Sequence, residues 1–208
     1  MNELGIDSGY FKGTFSEHNW NALPPEVRFV LPVFGSGTWL EPKAQQYVQA
    51  LESRDLLWSP WFYPYAHQKP IELAALWLKQ PRPQGVWPFP WPRAWIDYER
   101  SRKYGTIPSA SFVVELSDRL EQRIGEAIGI YSRTELIAKH LATVPDLNRW
   151  WFWLAQYIGD ATIEDPRPII LPDRVLRARV LIHQTADHVP PFPGFYTHTP
   201  MPRYMDVD

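Results

Sequence analysis

The chain has 208 residues, a net charge of −2 and no cysteine. Its hydrophobic content of 45% excludes global disorder, and its charge balance lacks the cationic surplus that binding a phosphate backbone demands, so nucleic acid is not an expected partner. The lack of cysteine excludes disulfides, thiolate metal sites and cysteine nucleophiles. Such a length suits a single domain spanning residues 1–208. The opening MNELGIDSGYFKG has no basic segment leading into an apolar run, so no secretory leader is expected there. No stretch approaches the ~20 apolar residues that span a bilayer.

Short apolar runs alternate with stretches of helical periodicity along the chain. Leu4–Asp7 reads as a first strand and Arg28–Val33 as a second. Residues Glu41–Arg54, with Pro42 in the first turn, place Ala44, Tyr47, Val48 and Leu51 on one helical face. Leu56–Tyr63 is a third strand, and Ile71–Lys79 a helix stopped by Pro81 and Pro83. The run Trp87–Trp91 alternates prolines with other residues and is expected to be a rigid connection. Ala94–Asp97 follows as a strand. Ser109–Ile128 carries Val113, Leu116, Leu120, Ile124 and Ile128 at intervals of three or four and is the longest predicted helix. Strands are expected at Ile128–Tyr131, Trp150–Ala155 and Val180–Gln184, with Thr134–Leu141 helical between the first two. Gly159–Arg179 gives no clear pattern.

Alternating strands and helices of this number predict an α/β fold, a single-domain (β/α) barrel of the TIM-like type. That fold ordinarily needs about 250 residues, so some outer helices must be short or missing. An open doubly wound sheet is the alternative. It lacks a G-x-G-x-x-G motif, and the pair Gly35 and Gly37 has no lysine partner.

Acidic side chains mark the candidate chemistry. Asp97 and Glu99, in WIDYER, are two apart at a strand end, so the pleat would turn both to one face, about 6–7 Å apart along the chain. Taken alone, such a triplet is also what a solvated strand end looks like. Asp7 closes the first strand, and Asp206 stands in the terminal MDVD. Either could be an ordinary surface aspartate, but a barrel gathers the C-terminal ends of its strands at one rim and would bring all four acids together. Crowded carboxyl groups raise one another's pKa, which a general acid working near neutrality requires.

Taken in order, GIDSGYFKG, WIDYE, GIYSRTELI, FWLAQY, LIHQT and MDVD resemble the successive strand motifs of glycoside hydrolase family 25, the Chalaropsis-type lysozymes. The resemblance runs the length of the chain. It implies a barrel with few outer helices and hydrolysis of the β-1,4 bond between N-acetylmuramic acid and N-acetylglucosamine in peptidoglycan. On the matching positions, Glu99 corresponds to the proton donor, and Asp97 to the neighbouring acid that assists through the substrate acetamido group or as a nucleophile. Asp7 and Asp206 correspond to the remaining cleft acids. Tyr131, Trp153 and Gln184 match cleft-lining positions more loosely. This chain departs from the family pattern at His183, where the family has Trp, and at Thr185, where it has Tyr. FVLPVFGSGTW also lacks the family's arginine-containing pattern, and Gln84–Arg93 is an insertion.

The remaining residues carry weaker signals. Six histidines, among them His183, His188 and His198, show no metal-ligand spacing, so neither a metal nor another cofactor is expected. Ser36 in FGSGT lacks the nucleophile motif of a serine hydrolase. Arg167, Arg174, Arg177 and Arg179 are read as a solvated basic face, with an anionic wall polymer as the sharper possibility. Trp58, Trp61, Trp87, Trp91 and Trp95 either pack the barrel or stack on sugars. The sequence thus predicts a peptidoglycan muramidase acting on the bacterial cell wall, delivered by phage release or dedicated export. A non-catalytic glycan-binding or phage structural component on the same barrel is the rival, and a glycosidase for chitin-like glycans is a third reading.

Overall fold

The computed structural model describes residues 4–8, 25, 27–83, 91–155 and 170–184. The strands are β1 (Leu4–Ser8), β2 (Val27–Ser36), β3 (Trp39–Leu40), β4 (Leu57–Trp58), β5 (Trp61–Tyr63), β6 (Trp95–Asp97), β7 (Gly129–Arg133), β8 (Trp151–Ala155) and β9 (Val180–Gln184). They form one sheet in the order β1-β2-β5-β6-β7-β8-β9, with β3 and β4 pairing with β2 off this path. Every pairing is parallel except that of β3 with β2. Among the described residues β1 and β9 are the two edges of this sheet.

Parallel strands need crossovers, and among the described residues those leading to β4, β6, β7 and β8 contain helices: α1 (Ala44–Glu52), α2 (Pro70–Trp77), α3 (Ala110–Ile124) and the short α4 (Thr134–Leu136), which runs on as a π-helical turn over Ile137–Leu141. The strands carry apolar residues on both faces. Val30, Phe34, Trp95, Ile96, Ile130, Phe152 and Leu154 are all fully buried, as expected of a sheet covered on each side. Trp58, Trp61, Trp91 and Trp95 belong to this core, so the packing reading holds for them; Trp87 lies outside the described residues. Pro70 occupies the start of α2, where its missing N–H costs nothing.

Three expectations are corrected by the backbone. The single strand foreseen over Leu56–Tyr63 is split into β4 and β5 at Ser59-Pro60. Pro32 stands in β2 between the stretch that pairs with β4 and the stretch that pairs with β5. With prolines on both strands, ladder donors are missing at this level and the pairing is interrupted, resuming in the same register at Val33 with Trp61. The helix foreseen to Ile128 ends at Ile124, because Gly125 adopts φ 80° and turns the chain out in a left-handed cap. Ser109 caps its other end, accepting a hydrogen bond from the Phe112 N–H. Pro42 precedes α1 rather than opening it, and the turn there is held by the Glu41 carboxylate accepting from the Lys43 N–H.

Gly129 has no room for a side chain. A Cβ there would lie 2.1 Å from the Trp95 ring. Trp95 thereby fills the space beside β7, and its strand delivers Asp97 two residues later.

Candidate active site

Asp7, Asp97 and Gln184 stand at the C-terminal ends of β1, β6 and β9, and Tyr131 and Trp153 stand midway along β7 and β8. Register places Asp97 beside Tyr131, and Tyr131 beside Trp153, on three neighbouring strands. Gln184 closes β9 opposite Ala155 and is half-buried. Strand β6 stops at Asp97, but the chain stays extended long enough for the Tyr98 N–H to donate to the Tyr131 carbonyl at 2.8 Å. Tyr98 is fully buried, its hydroxyl donating to the Pro108 carbonyl, and it fixes the alternation that sends Asp97 and Glu99 the other way.

The three described acids act on one another. Asp97 is buried, and its Oδ1 has no hydrogen-bond partner among the described residues. Burial holds its carboxyl well above the usual carboxylate range, and the charges of Glu99 and Asp7 add to the rise. Asp7 keeps an open face to solvent, yet the loss of hydration around it pushes its carboxyl up to about 6, with a backbone hydrogen bond opposing and Glu99 adding to the effect. Burial likewise raises Glu99, whose pKa is held back by the cations of Arg133 and Arg102. The Arg133 Nε lies 3.4 Å from Glu99 Oε1, and the Glu99 side chain retains 27% exposure. Asp206 lies outside the described residues.

The side chains expected to line a cleft are more deeply placed. Tyr131 is 8% and Trp153 3% exposed. Their rings meet at 4.3 Å, and Trp153 also stands edge-on to Trp95 at 6.0 Å. They form the floor beside Asp97 and leave little free surface. The Trp153 indole N–H is buried without a hydrogen-bond partner among the described residues. His183 pairs its backbone with Leu154, and Thr185 lies outside the described residues.

Two site residues escaped the sequence reading. Tyr63 ends β5, and its phenol is pushed up by burial and by the charges of Asp97 and Glu99, so it stays protonated and can donate. The strand-end rule that found Asp97 would have found it. Arg133 had no such signal, because only the β6–β7 pairing brings it to Glu99. No group of His, Asp and Glu among the described residues could hold a metal ion. Of the basic run, Arg167 lies outside the described residues and the other three arginines are engaged with the chain itself, Arg177 and Arg179 at the N-terminal end of β9. Arg174 donates to the carbonyls of Ala142 and Pro145, Arg177 to that of Val180, and Arg179 lies over the Trp151 ring at 4.7 Å.

No family model matches the chain, and no curated protein sequence matches it. Solved structures do. A muramidase from Trichobolus zukalii superposes with a TM-score of 0.59 at 15% identity, over 74% of this chain and 77% of that one. A family 25 glycosyl hydrolase from Bacillus anthracis gives 0.57 at 14% identity, over 79% and 75%. The catalytic domain of endolysin ply40 from bacteriophage P40 of Listeria monocytogenes gives 0.57 at 17% identity, over 81% and 82%. The chain therefore shares the fold of the family 25 glycoside hydrolases, as its motifs foretold.

Proposed function

We propose that this protein is a peptidoglycan muramidase, hydrolysing the β-1,4 bond between N-acetylmuramic acid and N-acetylglucosamine. The observation that carries this reading is the group of mutually perturbed carboxyls, Asp7, Asp97 and Glu99, at the C-terminal ends of β1 and β6. Carboxyl groups whose environments differ divide the labour of glycoside hydrolysis between a proton donor and a charge stabiliser. The same fold is found in a muramidase and in the catalytic domain of a phage endolysin, which points the same way.

Glu99 is the accessible member of the pair and serves as acid. It passes its proton to the glycosidic oxygen, the leaving sugar departs as an alcohol, and the anomeric carbon becomes cationic. Asp97, buried beneath, stabilises that charge directly or through the substrate acetamido group in its ionised form, which its raised pKa confines to the higher end of the working pH range. Water then attacks the anomeric carbon, and Glu99, now the base, recovers a proton from it. Burial keeps the Glu99 pKa raised, as a proton donor requires, and the Arg133 cation limits that rise. The Tyr63 hydroxyl, kept neutral by its acidic neighbours, is placed to donate a hydrogen bond. Tyr131 and Trp153 pack the floor, and Gln184 contributes from the last described strand.

The finer architecture belongs to the same proposal. Residues 1–208 act as one domain, the sheet closes as a TIM-like barrel, and Asp206 joins the other acids from the chain's last segment. The site uses neither metal nor cofactor. The substrate is the glycan strand of the bacterial wall, reached after phage release or dedicated export. No helix among the described residues is long and apolar enough to cross a membrane.

Purified cell walls incubated with the protein should lose turbidity and release reducing N-acetylmuramic acid ends. Reducing N-acetylglucosamine ends would replace this assignment by a glucosaminidase. Binding without any new reducing end would make the protein a glycan-binding component.

A further inference from the structure

An aromatic cluster beside the acids is not used by the chemistry above. Tyr65 and His67 lie in the segment after β5, and Tyr104 lies in the segment after β6. Tyr65 stacks with His67 at 5.8 Å, and Tyr104 sets itself edge-to-face with both, at 5.3 Å and 4.7 Å. Tyr63 joins from the inner side, edge-to-face with Tyr65 at 5.3 Å. A continuous line of rings thus runs outward from the phenol that feels the charges of Asp97 and Glu99.

Exposure increases along that line. Tyr63 and Tyr65 are half-buried, His67 is exposed, and Tyr104 is 46% exposed. The other large apolar side chains exposed to this degree among the described residues, Ile71, Ile170 and Leu176, are aliphatic. Both segments are held before any ligand arrives. The Tyr65 hydroxyl shares a hydrogen bond with Ser36 at 3.1 Å, and the Tyr65 N–H donates to Gln68 Oε1 at 2.9 Å. On the other side, the Tyr104 N–H donates to Ser101 Oγ at 3.1 Å, and the Ser101 N–H to the Thr106 carbonyl at 2.7 Å. Lys103 Nζ stands 5.6 Å from the Tyr104 centroid, steadying the ring from one side.

We infer that Tyr65, His67 and Tyr104 form a sugar-stacking subsite beside the acid centre, taking the apolar faces of N-acetylhexosamine rings in a glycan longer than the disaccharide being cut. The inference rests on the muramidase reading for the identity of the sugar. Electron-rich ring faces attract the C–H groups of a pyranose, and the Tyr and His polar edges suit its hydroxyl and amide groups. Fixed rings lose little entropy when a ligand arrives, so the gain is available to binding.

The test uses the full chain carrying Glu99→Gln, so that ligand is held and not cut. Two-sugar and six-sugar fragments of a peptidoglycan strand, stripped of peptides, are titrated by calorimetry. The subsite predicts a gain in affinity from two sugars to six. Adding His67→Ala and Tyr104→Ala together should cut that gain by about tenfold, equivalent to ~1.4 kcal/mol shared between the two ring contacts. Tyr104→Trp should keep it, and thermal melts of each variant establish that the fold is intact. An unchanged gain in the double alanine variant overturns the subsite and leaves the muramidase reading standing. If ring-dependent binding is found but the wild-type protein releases no reducing ends, the subsite stands and the activity falls. If neither fragment binds, both fall.

Discussion

Arg133 reaches Glu99 across two strand ends, Nε to Oε1 at 3.4 Å, while the carboxyl two residues earlier, Asp97, is buried with an Oδ1 that no described residue bonds. Burial raises both carboxyls, and at Glu99 the Arg133 cation holds that rise back. The two titrate as a group with Asp7, so a pH profile will report the group rather than a single residue.

Replacing Glu99 by Gln removes the proton donor while preserving its shape. Clearing of cell walls should fall by about a hundredfold to ten-thousandfold, with the melting curve unchanged. Wild-type clearing rates would show that Glu99 is not the acid.

Arg133→Met should shift the pH profile. The cation lowers the Glu99 pKa, so its removal lets Glu99 keep its proton to higher pH. The wild-type profile should be bell-shaped, and in the variant the alkaline limb of kcat/KM should move upward in pH. A stationary limb would mean that the ion pair does not govern the donor.

Asp97 should limit stability at neutral pH. Its folded-state pKa is raised, so the native protein binds more protons than the unfolded chain between about pH 4 and that raised value. The contribution is complete at lower pH and lost as the pH climbs through the folded value. Asp97→Asn should therefore melt at a higher temperature than wild type near pH 7, with a smaller advantage near pH 4, and should be inactive. An equal difference at both pH values would argue that Asp97 is ionised throughout.

Gly129→Ala tests the floor of the site. The added Cβ meets Trp95 ring atoms at 2.1 to 2.5 Å, and Trp95 is fully buried against Trp153. A cost of about 3 kcal/mol in denaturant unfolding is expected, at the upper end for overpacked cores. A neutral result would mean that the Trp95 ring can move aside without disturbing β6.

Local signals were enough to place most elements and the acids. Apolar runs marked β1, β2, β6, β7, β8 and β9, and the three-to-four spacing marked α3, because burial of one face imposes its period on the sequence. Asp7, Asp97 and Glu99 were legible because each stands at or just beyond the end of a strand in a repeating strand-and-helix pattern. The split of Leu56–Tyr63 was not legible, since it depends on Pro32 in the neighbouring strand as well as on Pro60. Arg133 had no partner to announce it: 34 residues separate it from Glu99, and the parallel pairing of β6 with β7 joins them. Likewise Tyr104 and His67 lie on different segments, and their rings meet only where the ends of β5 and β6 come together. Chain periodicity determines which residues are buried and where strands end, whereas strand order and register decide which of those ends share a site.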